Sequence, residues 1–247
     1  MLFYLEAAAR RADREGRELA MSTEMICFVV FCLAAAALLG VSLARARFTV
    51  QKIAMVGVMA ALSFVAYEFF RIPNVLGTGS SFHLGNTFTA LTAMLLDGVS
   101  GGLAGAIGLS LADLVAGDPG YALTTFLLKM IIGLTCGAVA HRLCHLEEKP
   151  APQARARGGY LVRVSASALS GLLVNVLTDP LIGYFRNRYL FGQAVDLASV
   201  VAKVATGVTL VNSLLSAVCA VVLYLALRPA LDRAHLLPSA PVRRTQH

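Results

Sequence analysis

The sequence predicts an all-α integral membrane protein, and three observations carry that prediction. Hydrophobic residues fill 57% of the 247 positions and charged residues 14%, against about 25% charged in a soluble domain; the mean hydropathy is +0.72. Apolar runs recur near the ~20 residues a helix needs to cross about 30 Å of hydrocarbon. Lysine and arginine gather at the ends of those runs rather than on one face, the pattern of membrane topology. The net charge of +7 therefore gives no reason to expect a nucleic-acid partner, and the bilayer itself is the first partner implied.

Taken in order, the chain opens with MLFYLEAAARRADREGRELAM, where four arginines balance four acids, a solvated helix or tail. The run MICFVVFCLAAAALLGVSL predicts a helix over 25–43. Arg45 and Arg47 follow it, so it should insert with its N-terminus outside, the reverse of a cleaved signal peptide; Met21 or Met25 would serve equally as a start. Six further helices are expected at 50–70, 84–97, 99–116, 120–142, 161–184 and 197–227. The second of these, at 84–97, is too short to span fully, which leaves its first residues in a polar, outward-facing mouth. The loop HLEEKPAPQARARGG is Pro- and Ala-rich and basic, a cytoplasmic linker. The resulting organisation is a tail and accessory transmembrane helix over 1–47, a six-helix domain over 48–230 and a cytoplasmic tail over 231–247.

Orientation follows from the basic residues. With the loop after the fifth helix inside, Arg45, Arg47, Lys52, Arg142, Lys149, Arg155, Arg157, Arg163, Arg228, Arg233, Arg243 and Arg244 lie in the cytoplasm. Only Arg71, Arg186 and Arg188 lie outside. That asymmetry fixes the direction of every helix and puts the C-terminus in the cytoplasm.

Ionisable residues at membrane depth usually face a cavity or a partner and serve function. Glu68, His83, Asn86, Asp113, Lys129, Asn175, Asp179 and Lys203 all fall in the outer half of their helices on this topology. Lys129 sits about 15 Å from the outer face. An outer polar half facing an apolar inner half fits a pocket open to one side better than a channel. The same charges admit a plainer account, in which Asp113, Lys129, Asp179 and Lys203 neutralise one another as buried pairs. His83 can equally be a hydrogen-bonded residue of the mouth, and Glu68 can pair with Arg71 on one helix face. Gly101, Gly105, Gly108 and Ala112 form a smooth strip for close helix packing. Gly57 and Ala61 form a second small pair, suited to internal packing or to docking another membrane protein.

Enzyme signatures are missing. GLSLAD is not the nucleophile element of an intramembrane serine protease, there is no HExxH, and the five cysteines show no CxxC spacing. No GxxxxGK[ST] is present, so ATP-driven transport would need a motor on another chain. No catalytic residue, metal site or cofactor is expected.

The run LGNTFTALTAMLLDGVSGGLAGAIGLSLADLVAGDPGYALTTFLLKMIIG resembles the heart of the substrate-binding S components of energy-coupling factor (ECF) transporters, in their riboflavin-type branch. The resemblance covers about 48–227 and is most specific over 84–133. It implies six helices that bind a vitamin or precursor near the outer surface, with a transmembrane coupling subunit and two ATPase subunits driving release inside. It further implies that Asn86, Asp113, Lys129, Asn175, Asp179, Asn212, His83 and Tyr121 form the substrate site. Gly57 and Ala61 correspond to the family's alanine-xxx-alanine contact with the coupling subunit, with glycine replacing the first alanine. The loop RIPNVLGTGSSF would cover the substrate, with Gly77, Gly79 and Phe82 in the lid. With no tryptophan in the chain, stacking on a flat ring falls to Phe82, Phe88, Tyr121, Phe126 and Tyr184. The additional N-terminal helix departs from the six-helix pattern. Two other functions fit the residues: a proton-coupled carrier using Asp113 or Asp179, and a lipid-modifying enzyme using His83 and Asp113.

Overall fold

The computed structural model describes residues 46–73, 81–146 and 158–237 continuously, with further positions between 6 and 44. The described positions between 25 and 44 are helical; the other positions of the helix expected there, and Gly77 and Gly79 expected in the lid, lie outside the described residues. From Val50 onward the described residues form six α-helices: α1 (Val50–Phe69), α2 (Asn86–Leu95), α3 (Gly98–Val115), α4 (Pro119–Ala138), α5 (Gly158–Phe185) and α6 (Val195–Arg233). All but α2 are long and apolar enough to cross a membrane. Their outward faces carry large exposed apolar side chains, among them Val50, Ile53, Leu123, Val162, Leu177 and Val218. A soluble protein would not tolerate that density; a bilayer requires it. The molecule is an all-α membrane protein.

Each helix starts and stops where its sequence dictates. The Thr49 hydroxyl accepts from the Lys52 N–H and caps α1, and the Asp97 carboxylate accepts from the Ser100 N–H at 2.9 Å to cap α3. Gly117, at φ +85°, turns the chain out of α3, and Pro119 occupies the first turn of α4, where its missing N–H costs nothing. Helix α2, at ten residues, covers only about 15 Å. Both α4 and α5 loosen into a π turn, at Val139–Leu143 and Arg186–Leu190. At 39 residues α6 is longer than the 197–227 expected and exceeds what about 30 Å of hydrocarbon requires. The loop expected between α1 and α2 carries a short ladder, in which Ile72–Pro73 pairs antiparallel with Ser81–Phe82, β1 with β2. Pro73 is tolerated because a two-stranded ladder is all edge.

Close packing rests on small residues. A side chain added at Gly101 or Gly105 would strike Ala93 or Thr89 of α2, and one at Gly108 would strike the Ala60 carbonyl of α1. A second seam, not singled out in the sequence, joins α3 and α4 backbone to backbone, with Gly133 against Gly102 and Gly137 against Gly98. Gly57 has no atom within 4 Å of where its Cβ would be, and Ala61 is exposed. Internal packing within the described residues therefore does not account for that pair. The apolar core, including Leu91, Met94, Ile132, Leu172 and Tyr224, fills one end of the bundle. At this end the α1 side chain Gln51 donates to the His235 carbonyl just beyond α6. The other end is polar and hollow.

Candidate functional site

The hollow end gathers the C-terminal ends of α1, α3 and α5 and the N-terminal halves of α2, α4 and α6 around one cavity. His83, Asn86, Asp113, Tyr121, Lys129, Asn175, Asp179 and Asn212 all line it, although they come from five helices and a loop. Tyr67, Ser81, Thr125, Arg186, Asn187 and Thr209 join them. Lys203, by contrast, is exposed and takes no part, and among the described residues no ion pair within 4 Å joins Asp113, Asp179 and Lys129. These charges form no contact pairs there, although Asp179 and Asp113 act on Lys129 at longer range.

The lining divides into groups already bonded and groups left open. Asp113 accepts from the Tyr67 hydroxyl at 3.1 Å and from the Thr125 hydroxyl at 2.5 Å, tying α3 to α1 and α4. Asp179 accepts from the Thr209 hydroxyl at 2.5 Å and links α5 to α6. The Asn212 amide donates to the Ser81 carbonyl at 2.9 Å and accepts from the His83 N–H at 3.1 Å. Its side chain thus lines the cavity while pinning β2 and the segment after it to α6.

His83 accepts the Gly85 N–H on Nδ1 at 3.2 Å, and its ring sits 4.7 Å from that of Tyr67. It lies between β2 and α2, outside the spanning helices. Burial, with Lys129 and Arg71 nearby, lowers its pKa to about 3. The imidazole is therefore neutral at physiological pH, with Nδ1 already occupied.

The open groups are Asn86, Asn175 and Lys129. Asn86 and Asn175 are 2% and 1% exposed, and the Oδ1 of each has no hydrogen-bond partner. Lys129 is 7% exposed, and among the described residues its Nζ has no bonding partner. Buried polar groups are almost always satisfied. Two buried acceptors without a partner and the Lys129 side chain thus line one cavity. Pro180, also on the wall, removes the helical donor for the Val176 carbonyl and adds one more freed acceptor to α5.

Arg186 was counted from sequence as an outer-loop charge, but it is 6% exposed. Its guanidinium carbon lies 3.6 Å from the Tyr121 ring centroid and 5.6 Å from that of Phe191. It donates to Thr124 at 3.0 Å and to Asn187 at 3.3 Å. A basic residue ending an apolar helix reads as a topological charge; its burial follows from Tyr121, which offers a ring face one helix away. Among the aromatic residues expected to meet a flat ring, Tyr121 lines the cavity, whereas Phe82, Phe88, Phe126 and Tyr184 do not. Tyr67 does instead.

At the rim, Arg71 donates to the Ser81 hydroxyl at 3.0 Å and pairs with Asp118 at 3.4 Å, not with Glu68. These bonds tie Arg71, just after α1, to β2 and to the residue before α4.

The family model for the S component of ECF-type riboflavin transporters matches residues 47–229, most of the chain. Neither a curated protein nor a solved structure matches it.

Proposed function

The chain belongs to the family of S components of ECF-type riboflavin transporters, a transporter family and not an enzyme family, and on that footing we propose that it captures a B-vitamin or vitamin precursor from outside the cell. Riboflavin is the first candidate, and pyridoxine-like compounds and thiamine precursors are the runners-up. Six helices from Val50 onward would form the membrane domain, with the accessory N-terminal helix outside that bundle and the C-terminus in the cytoplasm. A coupling subunit and two ATPase subunits would supply release into the cytoplasm, with Gly57 and Ala61 facing the coupling subunit.

The observation that carries the reading is the pair of unpartnered buried acceptors on Asn86 and Asn175, with buried Lys129 beside them on the cavity lining. A flat heterocycle with carbonyl acceptors and N–H donors on one edge would use all three, and a hydroxylated chain would reach Asp179. Tyr67 and Tyr121 supply apolar ring faces. The cavity encloses about 90 Å³ at the centres of water-sized spheres, room for a few waters. A vitamin therefore enters only if the walls part. The piece best placed to move is the β1–β2 segment, held by Asn212 on one side and by the Arg71–Asp118 pair on the other.

The alternatives have less support. The carboxylates a proton-coupled carrier would use already accept from hydroxyl groups. His83, the base a lipid-modifying enzyme would need, has its Nδ1 occupied by Gly85.

Titration of the purified chain with riboflavin, followed by quenching of flavin fluorescence, tests the proposal. One saturable site, weakened at least tenfold in Asn86→Ala and in Asn175→Ala, is the expected result. A folded, monodisperse sample that binds neither riboflavin nor any other vitamin of the panel would overturn it.

A further inference from the structure

At the end away from the cavity, a groove of about 710 Å³ opens between α3, α4 and the residues preceding α1. Its lining joins the apolar Val41, Leu96, Val99, Leu134 and Ala138 to the polar Arg47, Lys52, Asp97, His141 and Arg142. Several of these polar groups are committed. Lys52 pairs with Asp97, Asp97 also caps α3, and the His141 Nε2 lies 2.9 Å from the Ala93 carbonyl. The guanidinium groups of Arg47 and Arg142 remain, with no acidic partner within 4 Å among the described residues. The groove thus combines two cations without an acidic partner and an apolar lining, and it lies at the helix ends remote from the cavity.

We propose that this groove binds one anionic phospholipid of the surrounding bilayer. The phosphodiester would lie between Arg47 and Arg142, and an acyl chain would run along Val99 and Leu134. Charge complementarity selects an anion, since the lining carries a net positive charge after the Lys52–Asp97 pair is cancelled. The apolar lining residues and the volume select a lipid over a free anion: inorganic phosphate would leave most of the groove unfilled and those residues wet. Basic pockets between membrane helices take anionic headgroups for these reasons, and the two arginine forks suit bidentate phosphate contacts. The lipid would bridge α4 to the segment leading into α1. It does not depend on which vitamin the cavity takes.

The test uses the full chain in neutral detergent, with phosphatidylglycerol, phosphatidylcholine of the same acyl chains and inorganic phosphate added separately. Native mass spectrometry counts retained lipids and thermal unfolding reports stabilisation. One retained phosphatidylglycerol per chain, with a rise in Tm of several degrees, is expected, and phosphatidylcholine and phosphate should give neither. The double variant Arg47→Gln/Arg142→Gln should weaken retention at least tenfold, whereas Arg233→Gln, a basic residue outside the groove, should not. Leu134→Trp, which adds bulk to the apolar lining and leaves both arginines, should also expel the lipid and guards against misfolding of the double variant. Equal retention of the two lipids would overturn the proposal, as would retention that survives both groove variants. Stabilisation by phosphate alone equal to that by the lipid would reduce the groove to an anion site and overturn it too.

Discussion

Lys129 and Asp113 both sit in apolar helices against the same cavity, but their bonding assigns them opposite duties. Asp113 is occupied from two sides, by Tyr67 and Thr125, so it holds helices together. Asp113→Asn keeps the shape but gives up one acceptor, and it should lower Tm through a loss of about 1–3 kcal/mol, with a smaller effect on ligand affinity. Lys129 makes no hydrogen bond or contact ion pair among the described residues, and only the longer-range charges of Asp179 and Asp113 act on it. Lys129→Met should leave the Tm of the ligand-free protein unchanged or raised, because an unpaired buried charge is removed. Riboflavin affinity should fall by roughly ten- to a hundredfold, the worth of a charged hydrogen bond. Equal losses of Tm in the two variants would contradict the division.

His83 adds a pH signature. Its pKa is about 3 in the fold and about 6.5 in an unfolded chain, so between those values the unfolded state binds the extra proton. Stability is full above about pH 6.5 and falls as the pH drops toward 3, by up to about 1.4 kcal/mol per unit. Melting temperatures measured from pH 7.5 to 5 should decline, and His83→Asn, which keeps an acceptor for the Gly85 N–H, should flatten the decline. The candidate ligand groups were legible because a lysine or asparagine within an apolar run has no cheap explanation. Tyr67, Thr125 and Thr209 were not, since hydroxyls are common in membrane helices and only position reveals their partners. Arg186 was hidden by lying where a topological charge is expected.

At the scale of elements, the helices of this bundle are spaced by the absence of side chains. The Gly133–Gly102 contact leaves no room for a methyl group, and what it meets is backbone, which cannot turn aside as a flexible side chain would. Gly133→Val should therefore yield little folded, monodisperse protein on size exclusion. Gly57→Val meets open space and should fold and bind riboflavin as the parent does, yet reduce cellular uptake severalfold if this face meets the coupling subunit. Normal uptake by Gly57→Val would remove that role from the α1 face. Helix positions were legible to within a few residues because bilayer thickness dictates the length of the apolar runs. The β1–β2 ladder was not, because two residues on each strand carry no periodicity. Nor was the length of α6: the sequence signals a stop at Arg228-Pro229, but a proline removes one helical bond and the Ala-Leu run beyond it continues the helix. The Gly133–Gly137 half of the second seam escaped notice because a glycine in α4 gains meaning only beside the glycine it faces.

For the whole molecule, the decisive property is that polarity occupies one end and a dry core the other. Beyond the cavity the bundle is filled by Leu91, Met94, Ile132, Leu172 and Tyr224, each fully buried. Vacant hydrogen-bonding groups are concentrated above that plug, and a polar ligand crossing it would have to shed every bond it made in the cavity without replacement, at several kcal/mol. If the β1–β2 segment is the lid proposed above, its opening would exchange ligand with one side only. On the proposed function, delivery to the other side would draw on the coupling subunit and ATPases, in keeping with a sequence that holds no phosphate-binding loop. Proteoliposomes holding the purified chain alone should bind riboflavin at their surface but fail to accumulate it or to exchange it with an internal pool, with or without a proton gradient. Adding the coupling subunit and ATPases with ATP should start accumulation. Uptake by the chain alone that collapses with an uncoupler would instead require a proton-linked passage through the plug, and the division between capture at one end and driven release at the other would have to be abandoned.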